Sequence, residues 1–398
     1  MRNAFRTAIF LALLAACSGE TADPTTAVRD SAGITIVENR DPAWSNDDAW
    51  RLDSAPSLTI GTIDGQPEYQ LYRVRGALRL DDGTIVVADG GSRQIRFYDA
   101  NGEHVRSVGG QGEGPGEYRV PGLLARYPAD SLIIWDGSLR RGTILGLDGN
   151  LGRTFNGPLV GTPFYYARYV FADGSLFGQL DRGVDLDTVE LGVLRNDAVN
   201  FRMDPTGRVD TVGVFFSNQL FAYVGDRGTT LTGIPFEPRA VYATEGEYLH
   251  YGSSLTYEIR TFTMGGDLVR IIRTRDENVP VTQNLIDAYK DASLARITDP
   301  ATLRSMEARW AVTPWPETLP AYADLMADAE SNLWVADYLA PGDEQPRWRV
   351  FDPEGRMLGT IETPIGFTIH EIGSDYLLGV ERDELDVEKV VIYRLIKP

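Results

Sequence analysis

The sequence predicts an all-β fold, a six-bladed β-propeller, and three observations carry that reading. A unit of strand and turn signals recurs along the chain, at a spacing of about 45 residues where it is most regular. Glycine (41 residues) and proline (22) are spread through all 398 positions, as many short strands with many turns require. A stretch near the N-terminus, Ser57 to Tyr69, parallels Ser107 to Tyr118 but has no unit of its own. It is therefore expected to supply the outer strand of the last blade, closing the ring and removing unpaired edges.

The chain opens with Arg2 and Arg6, then an apolar run from Ile9 to Ala16 that is too short to span a bilayer. Leu14-Ala15-Ala16-Cys17 follows and resembles a bacterial lipobox. The resemblance implies that residues 1–16 are a signal peptide, that Cys17 is lipidated, and that the protein is held to a membrane in the cell envelope. Ser18, in place of an aspartate resembling an inner-membrane retention signal, favours the outer membrane over the inner. Cys17 is the single cysteine, so no disulfide staples the fold. Residues 17–32 are mostly small and polar and read as a flexible tether, leaving 33–398 for the propeller.

The clearest unit runs from Leu78 to Gly102. Ile85 to Ala88 is a continuous apolar run, as in a strand covered on both faces. Ile95 and Phe97 then alternate with Arg96 and Tyr98, and Asp82-Gly83 and Asn101-Gly102 are turn signals. Echoes appear at Ser131–Asp136, Gly174–Phe177, Glu247–His250, Asn332–Asp337 and Asp375–Leu378, which makes six blades. The spacing is longer from Gly174 to Gly246 and from Gly246 to Ser331, so the third and fourth units are expected to carry additions. One is a helical insert, about residues 281–319, between blades four and five. Leu285, Ile286, Tyr289 and Ala292 share one helical face, and Asp299-Pro300 reads as an N-cap followed by proline at the first helical position.

Gly83, Asp89, Arg93, Phe97, Asp99, Gly102, the run Gly109 to Tyr118 and Pro121 resemble NHL-type repeats, and still more closely the six-bladed propeller lipoproteins of bacteria. The resemblance implies the fold. It does not choose a function, because one propeller supports many activities.

The formal charge of −19 argues against nucleic acid as a partner. No nucleophile elbow, P-loop, paired CxxC or HExxH occurs, so no cofactor is called for. The histidines are His104, His250 and His370. His104 falls on an outer strand, and His250 with His370 remains the thin alternative for a divalent metal near the axis. Asp89, Asp136 and Asp337 are expected to accept hydrogen bonds from turn N–H groups.

Arginines form the stronger candidate set. The loops entering each innermost strand surround one mouth of a propeller channel, and here they carry Arg73, Arg75, Arg119, Arg168 and Arg239. Aromatic residues, among them Tyr165, Tyr166, Phe236 and Tyr322, lie beside them. Guanidiniums flanked by aromatic faces suit an anionic ligand, a glycan or a protein partner. The competing expectation is that the arginines pair with Glu68, Glu117 or Glu237 and merely pin the loops. The sequence therefore supports a binding or scaffold module, with a metal-dependent hydrolase or lyase acting on the axis as the alternative.

Overall fold

The computed structural model describes residues 25–45, 48–157, 167–181, 183–225, 228–295 and 297–398. Cys17, the signal peptide, Tyr165 and Tyr166 lie outside the described residues.

Among the described residues the strands form six small sheets, each built mainly from consecutive antiparallel strands, in a β-propeller arrangement. The first sheet holds Val74–Arg79, Ile85–Asp89, Gln94–Tyr98 and His104–Gly109, and the second runs from Pro121–Tyr127 to Leu151–Asn156. The third starts at Ala167–Val170 and carries long strands, Gly192–Met203 and Val209–Gly225, plus an added strand, Gly228–Gly233. The fourth spans Val241–Glu245 to Leu268–Thr274, and the fifth Asp324–Ala327 to Met357–Glu362. In the sixth, Thr368–Ile372, Tyr376–Arg382 and Glu388–Ile396 are joined by Leu58–Ile60, whose Ile60 lies opposite Val390.

Packing explains the apolar run of the first repeat. Ile85 and Val87 sit in a core shared with Leu378, Val390 and Ile392 of the sixth sheet, while Val86 and Ala88 face Leu132 and Ile134 of the second. A strand buried on both faces needs no polar alternation. Comparable apolar clusters fill every other junction between consecutive sheets. At about 1.5–3 kcal/mol for each large side chain fully buried, these junctions hold the ring together.

The N-terminal segment departs from expectation. Thr26–Ser31, assigned above to the tether, is a strand paired with Ile34–Asn39, which in turn lies parallel to Leu268–Thr274 at the outside of the fourth sheet. Asn39 fixes it there. Its side-chain amide donates to Gly355 O (3.0 Å), and its Oδ1 accepts from Met357 N–H (2.8 Å) of the fifth sheet. Any tether therefore ends before Thr26.

Two helices, α1 (Gln283–Leu294) and α2 (Pro300–Val312), lie in the chain between the fourth and fifth sheets. Asp299 caps α2, its side chain accepting from Thr302 N–H at 2.8 Å, with Pro300 following as the sequence indicates. Trp310 is the buried residue of α2.

Candidate functional site

The first strands of all six sheets line one central cavity of about 500 Å3. Its lining includes Arg75, Gly122, Arg168, Leu325, His370 and Glu371.

Four of these residues share a structural cause. In the first sheet Val74 pairs with Asp89 and Gly76 with Ala88, so Arg75 is left over as a bulge. The register skips Gly122 in the second sheet, Arg168 in the third and His370 in the sixth in the same way. A bulge frees one residue from the ladder and re-aims its side chain, and bulges gather at functional rims for that reason. Here they direct two guanidiniums and one imidazole into the cavity, with Gly122 leaving room between Arg75 and Arg168. Those two arginines also line an adjoining cavity of about 610 Å3, together with Gly122 and Tyr169.

The loops leading to these positions are held by side chains of the same or the neighbouring sheet. Asp89 Oδ1 accepts from Tyr72 N–H (3.0 Å), and Gly91 N–H and Ser92 also donate to Asp89. Asp136 Oδ2 accepts from Arg119 N–H (2.7 Å) and Val120 N–H (2.9 Å). In the fourth sheet Ser254 does this work, its hydroxyl accepting from Arg239 N–H at 2.8 Å. Glu388 of the sixth sheet accepts from Val74 N–H at 2.7 Å. Asp337 differs from the turn-acceptor expectation: it pairs with Arg349 (2.9 Å) and Arg347 (3.5 Å) instead. Close approach completes the support of the first loop, since a Cβ on Gly90 would lie 2.5 Å from the Arg73 carbonyl oxygen.

The predicted arginines divide into two groups. Arg119 pairs with Glu113, and Arg239 pairs with Glu237 (2.7 Å), so these two are tied to acids. Arg73 lies over the Tyr72 ring at 5.0 Å. Arg73, Arg75 and Arg168 are exposed, and none forms an ion pair among the described residues. Residues 158–166, which precede Arg168 and are not described, contain no acid. The opposite end of the cavity is internally neutralised. There Glu371 accepts from Arg79 N–H (2.6 Å), the Tyr376 hydroxyl (3.1 Å) and Arg126 (3.2 Å). Burial pushes the Glu371 carboxyl above its ordinary range.

Tyr322, expected beside the arginines, is almost wholly buried. It is 1% exposed, and its hydroxyl donates to Glu258 O (2.8 Å) while accepting from Ser254 N–H (3.2 Å). The slot that holds it exists because residue 252 is glycine; a Cβ there would meet the Tyr322 hydroxyl.

The two histidines have different surroundings. His250 lies on the second strand of its sheet with Nδ1 3.0 Å from the Thr261 hydroxyl, and it does not line the cavity that His370 lines. Burial holds the His250 imidazole down at about 4, helped by Arg270, and burial does the same to His370, against the pull of Glu388. Among the described residues no three His, Cys, Asp or Glu side chains gather closely enough to hold a metal ion.

No protein-family model and no curated protein matches this sequence. Solved structures do align with it over most of its length. A member of the DUF4221 family from Bacteroides vulgatus aligns with a TM-score of 0.51 at 13% identity, covering 88% of this chain and 98% of its own. A Bacteroides fragilis protein described as exported aligns with a TM-score of 0.49 at 10% identity, covering 91% and 99%. Virginiamycin B lyase from Staphylococcus aureus aligns with a TM-score of 0.40 at 12% identity, covering 88% and 100%. At these identities the likeness concerns fold alone.

Proposed function

We propose that this protein is a lipid-anchored envelope binding module, a six-bladed NHL-like propeller that recognises a carboxylate-bearing glycan or protein at its channel mouth through Arg75 and Arg168. Each of the six sheets is then one blade, with Leu58–Ile60 closing the sixth. Cys17 carries the lipid, and the outer membrane is the expected location.

The observation that carries the reading is the pair of bulges. They present Arg75 and Arg168 to the same two cavities, on a protein whose net charge of −19 would otherwise repel an anion. Two exposed guanidiniums without acid partners among the described residues, separated by the bare Gly122, form a fork suited to a carboxylate. Arg73, on the loop held by Asp89, adds positive potential at the rim. Arg119 and Arg239, already tied to Glu113 and Glu237, contribute shape more than charge.

The test is titration of a uronate oligosaccharide and an acidic peptide, each beside its neutral counterpart, against wild type and an Arg75→Ala/Arg168→Ala double variant. Binding of an acidic ligand should weaken by about tenfold or more in the double variant, since hydrogen bonds to charged groups contribute about 1.5–3 kcal/mol each. Stability should move by no more than about 0.5 kcal/mol, as at other exposed sites. Equal binding by wild type and double variant would remove the site from the channel mouth.

A further inference from the structure

Two of the three histidines are satisfied within the protein. His104 Nε2 lies 2.9 Å from the Ser107 hydroxyl, and His250 Nδ1 lies 3.0 Å from that of Thr261. His370 differs. It lines the central cavity, yet it has no side-chain hydrogen bond among the described residues, and its ring nitrogens are not shut off from that cavity. The carboxyl of Glu371 next to it is already taken up by Arg79 N–H, the Tyr376 hydroxyl and Arg126.

The sheet register fixes where this imidazole stands. In the sixth sheet the bulge at His370 is followed by two residue pairs, Glu371 opposite Leu378 and Ile372 opposite Leu377. In the third sheet the bulge at Arg168 is likewise followed by two, Tyr169 opposite Phe177 and Val170 opposite Leu176. Arg75 is followed by four, from Gly76 to Arg79. At about 3.3 Å per residue along a strand, His370 and Arg168 therefore lie about 7 Å deeper than Arg75 and level with each other. The apolar clusters join each sheet to the next in one ring, so the third and sixth sheets stand on opposite sides of the channel. Much of the wall between them is apolar, including Ala77, Leu124, Ala243 and Met326. His370 thus stands across the channel from Arg168.

We propose that His370 selects the ligand of the channel: it hydrogen-bonds a hydroxyl of the acid whose carboxylate Arg75 and Arg168 hold, so the channel prefers a hydroxy acid, such as a terminal uronate, to a plain carboxylate. The proposal rests on the channel-mouth reading and sharpens it. Burial, against the pull of Glu388, holds the imidazole down at about 4, so at neutral pH the ring is uncharged and offers one N–H donor and one acceptor nitrogen. A second carboxylate is poorly received there, because Glu371 adjoins the ring and Glu388 acts on it. An ammonium is repelled by Arg168. A hydroxyl carries no charge and can donate or accept, which suits whichever ring nitrogen holds the proton. The cavity is of ordinary small-molecule size, and Arg126 of the second sheet bars part of its far end by reaching Arg79 O of the first and Glu371 of the sixth. A chain therefore enters by its end.

The test is calorimetric titration of D-galacturonate beside tetrahydropyran-2-carboxylate, which keeps the ring and the carboxylate but lacks the hydroxyls. Wild type should bind galacturonate tighter by about fivefold or more, the contribution of roughly one hydrogen bond. In His370→Ala that preference should fall to about one, and His370→Gln, which keeps a donor and an acceptor, should restore part of it. The Arg75→Ala/Arg168→Ala variant should weaken both acids together. Equal binding of the two acids by wild type, or a preference that His370→Ala leaves intact, would overturn the role of His370 while leaving the arginines in place. An acidic peptide bound more tightly than galacturonate, and indifferent to His370→Ala, would overturn it too. Failure of wild type to bind either acid at millimolar concentration, or equal binding by the double arginine variant, would remove the channel-mouth reading and this proposal with it.

Discussion

Replacing Asp89 by alanine should lower the free energy of unfolding by about 3–5 kcal/mol, the cost of breaking a buried ion pair from one side. Asp89 is 1% exposed, and its Oδ2 lies 3.0 Å from Nη2 of Arg96, whose side chain is 5% exposed. Arg96 keeps its bonds to the Glu68 and Gln70 carbonyl oxygens, but its charge loses the only acid that it contacts among the described residues. Tyr72, Gly91 and Ser92 lose an acceptor at the same time. Urea unfolding of Asp89→Ala beside wild type measures the effect as a fall in midpoint. A loss under about 1 kcal/mol, within the range of exposed ion pairs, would mean that the loop carrying Arg73 and Arg75 is held by other means.

The second large effect is on acid stability. His250 is buried, and its imidazole is held at about 4 against an ordinary 6.5. The folded protein therefore takes up that proton less readily than the unfolded chain. The stability that His250 contributes is full above pH 6.5 and is lost as pH falls from there to about 4. Its size is about 3 kcal/mol, because each tenfold loss of proton affinity on folding corresponds to about 1.4 kcal/mol. His370 acts in the same direction and window but by less, because its ring faces the central cavity and is only partly covered. Asp276 and Glu258, held below their ordinary range despite the opposing effect of burial, by Arg349 and by Arg273 with Arg260, lose their contribution at still lower pH. Glu371 and Asp324 oppose the trend. Their carboxyls are raised by burial, so their contribution is present in acid and is lost as pH rises through their folded values. Urea midpoints taken from about pH 8 to about pH 4 should fall below pH 6.5, and His250→Gln should flatten that fall. An unchanged slope in His250→Gln would contradict the assignment.

What the sequence reveals here depends on whether the deciding contact is local. Ile85 to Ala88 reads as a two-faced strand because its neighbours on both sides are apolar, and the structure places it so. Leu58–Ile60 was legible through its likeness to Ser107 and the residues after it, and Asp299-Pro300 through capping chemistry alone. Long-range partners were not legible. Nothing near Thr26 to Asn39 signals a parallel pairing with residues more than two hundred positions away. The arginines could be named from their loops, but which ones are tied to acids depends on rotamers and on neighbours such as Glu113 and Glu237. Bulges at Arg75, Arg168 and His370 exist only in the register against a second strand. Tyr322 looked like a loop aromatic, yet the slot made by Gly252 buries it.

We propose that Arg75 and Arg168 together receive an anion at the channel mouth. A crystal structure of the protein with a bound uronate oligosaccharide tests it most directly. The expected result is a carboxylate held between the two guanidiniums, above Gly122. A carboxylate bound elsewhere, with both arginines turned to solvent, would contradict it.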